Sequence, residues 1–254
     1  MISSLFRKII PAFLVPMLFS PCAGGETINR AQYDGKFVLV VKGSWNYLNN
    51  KKLNNEYIYS GRYLDDKIHF GFGYSVELGY YIADKLSLGC GLIYLSGSSV
   101  GRDRPIIISA GSPDTDVINL ADYVKTRIYA PALSLNYHIY TRRIDYVIAL
   151  REAFLFGKAS RLKNVFDYSL QTYVPLKNDY YAKGLGLEMG ATAFVRIRKA
   201  VFLGLEFGLR LFRTRDLVEN DTGNSFTINR GRTEPLHLDY SGAFISAGLM
   251  FRLF

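Results

Sequence analysis

Among 254 residues there are two cysteines, three histidines and one tryptophan. No apolar run reaches the ~18 residues that a membrane-crossing helix needs, which excludes a helical membrane protein. Cys22 lies in an N-terminal leader-like segment, so Cys90 can be left alone, and a single thiol cannot staple a fold. Cys90 shares parity with Leu86, Leu88 and Leu92 and reads as a small hydrophobe. No grouping of His, Cys, Asp and Glu has metal-ligand spacing, and no glycine loop is built for phosphates. Hence no metal, cofactor or catalytic residue is expected. Acidic residues are also in deficit, 22 against 31 Lys and Arg, for a net charge of +9.

The segment Ile9 to Phe19 (IIPAFLVPMLF) is short and carries Pro11 and Pro16. It follows Arg7 and Lys8 and runs into Cys22-Ala23-Gly24-Gly25, the layout of a secretory leader with a small-residue cleavage site. Residues 1–25 are therefore expected to be a cleaved signal peptide, and 26–254 one domain. An exported chain rarely meets nucleic acid, so its basic excess suits anionic lipid headgroups and lipopolysaccharide phosphates, or solvated loops.

What the chain has in abundance is alternation. In Ile68 to Ile82, Ile68, Phe70, Phe72, Tyr74, Val76, Leu78, Tyr80 and Ile82 fall on one parity. His69, Gly71, Gly73, Ser75, Glu77, Gly79 and Tyr81 fall on the other. Successive side chains of a strand point to opposite faces, so this is a strand with one apolar face and one small, polar face. Its length suits a tilted membrane crossing of ~9–11 residues better than the ~5–6 of a globular strand. The pattern recurs in 37–47, 85–95, 125–139, 146–156, 183–197, 201–213 and from 242 to the end. In 146–156 it is blurred, because Arg151-Glu152 puts a charge on each parity; a bulge or a shallow depth is expected there. The links alternate between tight turns (83–84, 141–145, 198–200) and long polar stretches (48–66, 96–124, 157–181, 214–236). Segments 105–109 and 57–63 are candidates for hairpin arms.

Large apolar residues opposite Gly and Ser suit a narrow barrel with lipid outside and a cramped interior. Tyr47, Tyr80, Tyr94, Tyr129 and Tyr146 stand near strand ends, where aromatic girdles form. The closing AGLMFRLF, with Phe251 and Leu253 on the outward parity and Phe254 one residue beyond, looks like the C-terminal assembly signal of outer-membrane barrels. In plan, the chain resembles the small OmpA/OmpX/OmpW-type barrels. That resemblance implies an all-β, transmembrane antiparallel up-and-down β-barrel of eight strands, with short periplasmic turns and long extracellular loops. It implies an outer-membrane location and recognition of the last strand by the barrel-assembly machinery.

Phe70, Phe72, Tyr74, Leu187, Leu205, Phe207 and Phe251 are expected to form the lipid-facing belt. Glu77, Glu188, Glu206, Arg196 and Arg210 share the small-residue parity and are expected to form a lumen charge network, since a charge facing lipid is costly. Across the turn between the sixth and seventh strands, the outward parity of Ile197 and Val201 sets Glu188 opposite Arg210. His69 and His138 take lumen parity at strand ends.

Outer-membrane enzymes need a nucleophile and base in contact. His237 and Ser241 lie about 13 Å apart along a strand at ~3.3 Å per residue, which is too far. The pairs His237/Asp239 and Asp65/Asp66 resemble an omptin-like site, but omptins have ten strands and eight are counted here. The expected function is a monomeric, largely filled barrel with a structural or surface-interaction role through its basic, Tyr-rich loops. Its partners would be outer-membrane lipid, lipopolysaccharide or a surface protein. The alternatives are an OmpW-like conduit for a small hydrophobic ligand and, behind it, a lipid A-modifying or omptin-like enzyme.

Overall fold

The computed structural model describes residues 37–49, 68–100, 104–108, 116–120, 123–141, 144–167, 169, 172–219, 222–223 and 235–253. The expected signal peptide, the arm at 57–63, Asp65/Asp66 and Phe254 lie outside the described residues. The strands are β1 (Phe37–Tyr47), β2 (Phe70–Ala83), β3 (Leu86–Val100), β4 (Arg104–Ile108), β5 (Asp116–Leu120) and β6 (Tyr123–Tyr140). They continue with β7 (Ile144–Asp167), β8 (Thr172–Arg198), β9 (Val201–Asp216), β10 (Val218–Glu219), β11 (His237–Asp239) and β12 (Gly242–Leu253).

Eight of these strands close a ring. The order is β1-β2-β3-β6-β7-β8-β9-β12, each neighbour antiparallel, and β12 returns to pair with β1. Closure leaves no open edge in the ring, so every strand's backbone groups find partners on both sides, which a lipid environment demands. Each of the eight ring strands corresponds to one of the segments that alternation picks out, with β2 starting two residues later than expected and β3 one residue later.

Alternation also sets the polarity of the wall. Along β9, Phe202, Gly204, Glu206, Gly208, Arg210 and Phe212 are buried, while Leu203, Leu205 and Phe207 are exposed by 52%, 58% and 63%. A water-soluble barrel would hide the second set; here the apolar parity is the outside, as in a transmembrane barrel. Two aromatic tiers mark the outer face. Phe37, Tyr80, Tyr137 and Tyr146 stand near the short turns. Trp45, Phe70, Phe72 and Tyr129 stand toward the long links, and Tyr94 packs its ring between those of Tyr74 and Tyr129 at 4.7 and 5.1 Å. On β2 the tiers, Tyr80 and Phe72, are separated by about 20 Å at ~2.5 Å of height per tilted residue, close to the ~25 Å apolar band of such barrels.

The inward glycines make room for large side chains from neighbouring strands. A Cβ at Gly204 would collide with the Phe194 ring, one at Gly186 with Phe212, and one at Gly190 with the Glu206 carboxylate. At Gly208 it would meet both the Phe244 ring and the backbone oxygen of Met189, which cannot move aside.

Four local expectations change. Ile68 shares the outward parity of β2 but is buried inside, because the strand begins at Phe70 and the chain before it turns over the rim, where Leu48 N donates to His69 O. His69 is exposed instead and stacks on Tyr47. No bulge relieves Arg151-Glu152: pairing runs unbroken through both, with Arg151 buried and Glu152 outward between Leu133 and Leu187. The link 157–181 is largely strand, since β7 and β8 stay paired out to Asp167 and Thr172, well above the apolar band. In the link 96–124, β4 pairs with β5 as a separate two-stranded sheet.

Overpacking the lumen wall should be costly. Gly208→Val is expected to destabilise the barrel by about 1–3 kcal/mol, read as a lower urea midpoint of the heat-modifiable gel shift.

Candidate functional site

Midway along the barrel six charges meet in the lumen. Arg151 from β7 touches three carboxylates brought by three other strands. Its Nε donates to Glu77 Oε2 at 3.0 Å, and its Nη1 donates to Glu188 Oε1 at 2.7 Å and Glu206 Oε1 at 2.9 Å. Lys42 of β1 donates to Glu206 Oε2 at 2.9 Å, and Arg210 Nη2 lies 2.8 Å from Glu188 Oε2. Ser134 and Asn136 donate to Glu77 at 2.7 Å each, and Ser246 to Glu206 at 2.8 Å. Three cations face three anions, so the cluster is neutral as a unit. That balance matters because an unpaired ion in a dry interior is far more costly than a paired one. The Arg210 guanidinium also lies 4.3 Å from the Phe244 ring centroid, which gives its remaining donors an aromatic face. Beside Glu77 and Arg151 a cavity of about 10 Å³ has room for about one water.

A second polar layer closes the short-turn end. Ser87 Oγ is 3.0 Å from His138 Nε2, and His138 Nδ1 is 3.2 Å from Asp145 Oδ2. Arg252 Nη2 donates to the same Asp145 oxygen at 3.2 Å and packs over the rings of Phe202 and Tyr140. Serine, imidazole and carboxylate stand in the order of a hydrolase relay. However, Ser87 has no exposed surface, so no acyl group can reach its oxygen. The layer ties β3, β6, β7 and β12 together.

The long-link end is filled with hydrocarbon. Leu95, Ile128, Leu155 and Phe212 point inward from the ring strands and meet Leu48, Ile68, Leu217 and Leu236 from beside the strand ends and Leu238 of β11, all essentially without exposure. Tyr240 sits among them, its hydroxyl hydrogen-bonded to Thr126 Oγ1. This apolar plug is absent from the sequence reading, which took the whole interior as polar. The signal was present, since Ile93, Leu95, Ile128 and Phe212 occupy inward positions in the upper halves of their strands.

The fold is that of a small eight-stranded membrane β-barrel. No family model matches the sequence, and no curated protein is similar to it at the sequence level. Solved outer-membrane proteins resemble this chain at low identity and low TM-score. Neisserial surface protein A is 12% identical, with 86% of this chain and 97% of that one covered and a TM-score of 0.44. The outer membrane protease OmpT of Escherichia coli is 11% identical over 90% and 99%, with a TM-score of 0.43. The attachment invasion locus protein Ail of Yersinia pestis is 10% identical over 85% and 96%, with a TM-score of 0.33. At these identities and TM-scores the likeness says nothing of the chain's role, and the fold rests on the ring of strands itself.

Of the residues expected in the lumen network, Glu77, Glu188, Glu206 and Arg210 converge, with Glu188 directly opposite Arg210. Arg196 stands eight residues from Glu188 along β8, opposite Phe202 near the short turn, and does not join the six-charge cluster. Lys42 and Arg151, which the sequence reading left out, complete it. Of the belt residues, Phe70, Phe72, Tyr74, Leu187, Leu205 and Phe207 are exposed on the outer face and Phe251 is half-buried there. His237 and Asp239 lie on β11, and Asp239 accepts a hydrogen bond from Ser241 N.

Two substitutions test this picture. Arg151→Met leaves three carboxylates facing two cations and is expected to cost about 3–5 kcal/mol in urea unfolding from lipid vesicles. Glu152→Leu is expected to act the other way. Glu152 lies six residues above Tyr146, about 15 Å into the apolar band, so its removal should stabilise the vesicle-embedded barrel by up to about 2 kcal/mol.

Proposed function

We propose that the chain is a monomeric, non-conducting barrel of a bacterial outer membrane, with a structural and surface-interaction role carried by the links at its long-link end. The observation that supports this most is the filled lumen: hydrocarbon at one end, a neutral charge cluster in the middle and a hydrogen-bonded polar layer at the other. An eight-stranded barrel is only wide enough for side chains to fill, and here they do. The conduit reading needs an open upper lumen, where Leu95, Ile128, Leu155 and Phe212 are instead packed together. The enzyme reading needs an accessible nucleophile, and Ser87, the serine beside His138 and Asp145, has no exposed surface. The last strand, which closes the ring against β1, is the segment we assign to recognition by the assembly machinery.

In planar bilayers the purified chain is expected to give no stepwise conductance, and cells lacking it should take up small hydrophobic solutes normally. Stable channel openings, or an uptake defect restored by the unaltered chain, would support the conduit instead. Turnover of lipid A or of a peptide by the purified protein would support the enzyme.

A further inference from the structure

Outward-facing charge is unevenly distributed around the barrel. Just above the upper aromatic tier, four neighbouring strands each carry a cation on the outer parity: Arg127 on β6, Lys158 on β7, Lys183 on β8 and Arg213 on β9. Arg127 is two residues above Tyr129 and directly opposite Lys158. Lys183 is opposite Phe156, and Arg213 is opposite Leu185. Since Lys158 pairs with Tyr181, and Arg213 with Leu185, Lys183 is a diagonal neighbour of both cations, within about 7–8 Å. On β1, β2 and β3 the corresponding outward positions are Tyr47, Phe70 and Ser96, none of them charged.

The chain neutralises one of these four. Lys158 Nζ donates to Asp179 Oδ2 at 2.8 Å. Arg213 has the carboxylate residue Asp239 of β11 as its cross-strand partner, with no ion pair between them among those described, and Arg127 and Lys183 likewise have no ion pair among the described residues; the Nε of Arg127 is buried without a hydrogen-bond partner. Like charges on adjacent strands repel and destabilise the sheet unless an anion lies among them. Their height supplies one. Aromatic girdles mark the boundary of the hydrocarbon, and the next residues up stand at the level of lipid headgroups. Guanidinium groups match phosphate oxygens with two parallel donors, and a lysine adds a mobile charge.

We propose that Arg127, Lys183 and Arg213 form a binding site for the phosphate groups of a phosphorylated glycolipid in the leaflet at the long-link end. The acyl chains of that lipid would lie on the apolar wall below, against Leu185, Leu187 and Leu211. The site rests on the membrane placement proposed above, and the test separates the two. The full chain is purified in a neutral detergent, and folding is checked by the heat-modifiable gel shift. Retention of diphosphorylated lipid A, of its dephosphorylated form and of phosphatidylglycerol is then read by native mass spectrometry.

The unaltered chain is expected to retain diphosphorylated lipid A at least about tenfold better than the dephosphorylated form, with retention falling as salt rises. The folded R127Q/K183Q/R213Q variant should lose about tenfold, and each single variant about threefold. K199Q, at the opposite end, should change nothing. Equal retention by the folded triple variant, equal retention of the dephosphorylated lipid, or indifference to salt would each overturn the site while leaving the barrel's membrane placement intact. Displacement by millimolar inorganic phosphate would assign a free-anion site and overturn the lipid proposal. A chain that shows no gel shift and stays soluble without detergent would instead overturn the membrane placement.

Discussion

Everything inside this barrel depends on the neutrality of one cluster. A ring of eight strands leaves a lumen with no room for bulk water to screen a charge, so any ion placed there must be met by its opposite. Arg151 meets that demand by reaching Glu77, Glu188 and Glu206 at once, while Lys42 and Arg210 take up the charge left over. The strands that carry these groups, β1, β2, β7, β8 and β9, include pairs that share no backbone hydrogen bonds. The cluster is thus a cross-brace, linking parts of the wall that the sheet ladder joins only indirectly. The polar layer of Ser87, His138, Asp145 and Arg252 below it and the leucine plug above it seal its two ends.

From that constraint the rest of the composition follows. Long inward side chains must cross a narrow space, so the neighbouring inward positions are glycine, as at Gly190 under Glu206 and Gly204 under Phe194. With charge and glycine on the inside, the apolar residues are left for the outside, where hydrocarbon accepts them. An outer face carrying Phe72 at 73% exposure and Leu205 at 58% is tolerable in lipid and would drive aggregation in water. Glu152 is the exception on that face, and its cost is moderated because it lies above the middle of the band.

Strand number, parity and the Glu188–Arg210 register were legible because they rest on a period of two, which the backbone enforces without regard to the rest of the fold. What the sequence hid depends on long-range closure. Arg151 looked like a local irregularity beside Glu152, since nothing within its own strand shows that three carboxylates converge on it. Ile68 has the parity of a lipid-facing residue, yet it is inside because the strand begins only two residues later, at Phe70, and the chain folds over the rim. Ser87, His138 and Asp145 lie on three different strands, and only the ring brings them together. The apolar filling of the upper lumen was also missed, because glycine and serine dominate the inward parity lower down and mask the change at Leu95, Ile128 and Phe212.

The claim that the six charges act as one brace is tested most directly by a double-mutant cycle between Arg151→Met and Glu206→Gln, measured by reversible urea unfolding from lipid vesicles. Glu206 and Arg151 are joined at 2.9 Å across strands that are not sheet neighbours. A shared brace gives a coupling of about 2 kcal/mol, with the double variant less damaged than the sum of the singles. Additivity within about 0.5 kcal/mol would mean that the two groups contribute independently, and would contradict the account.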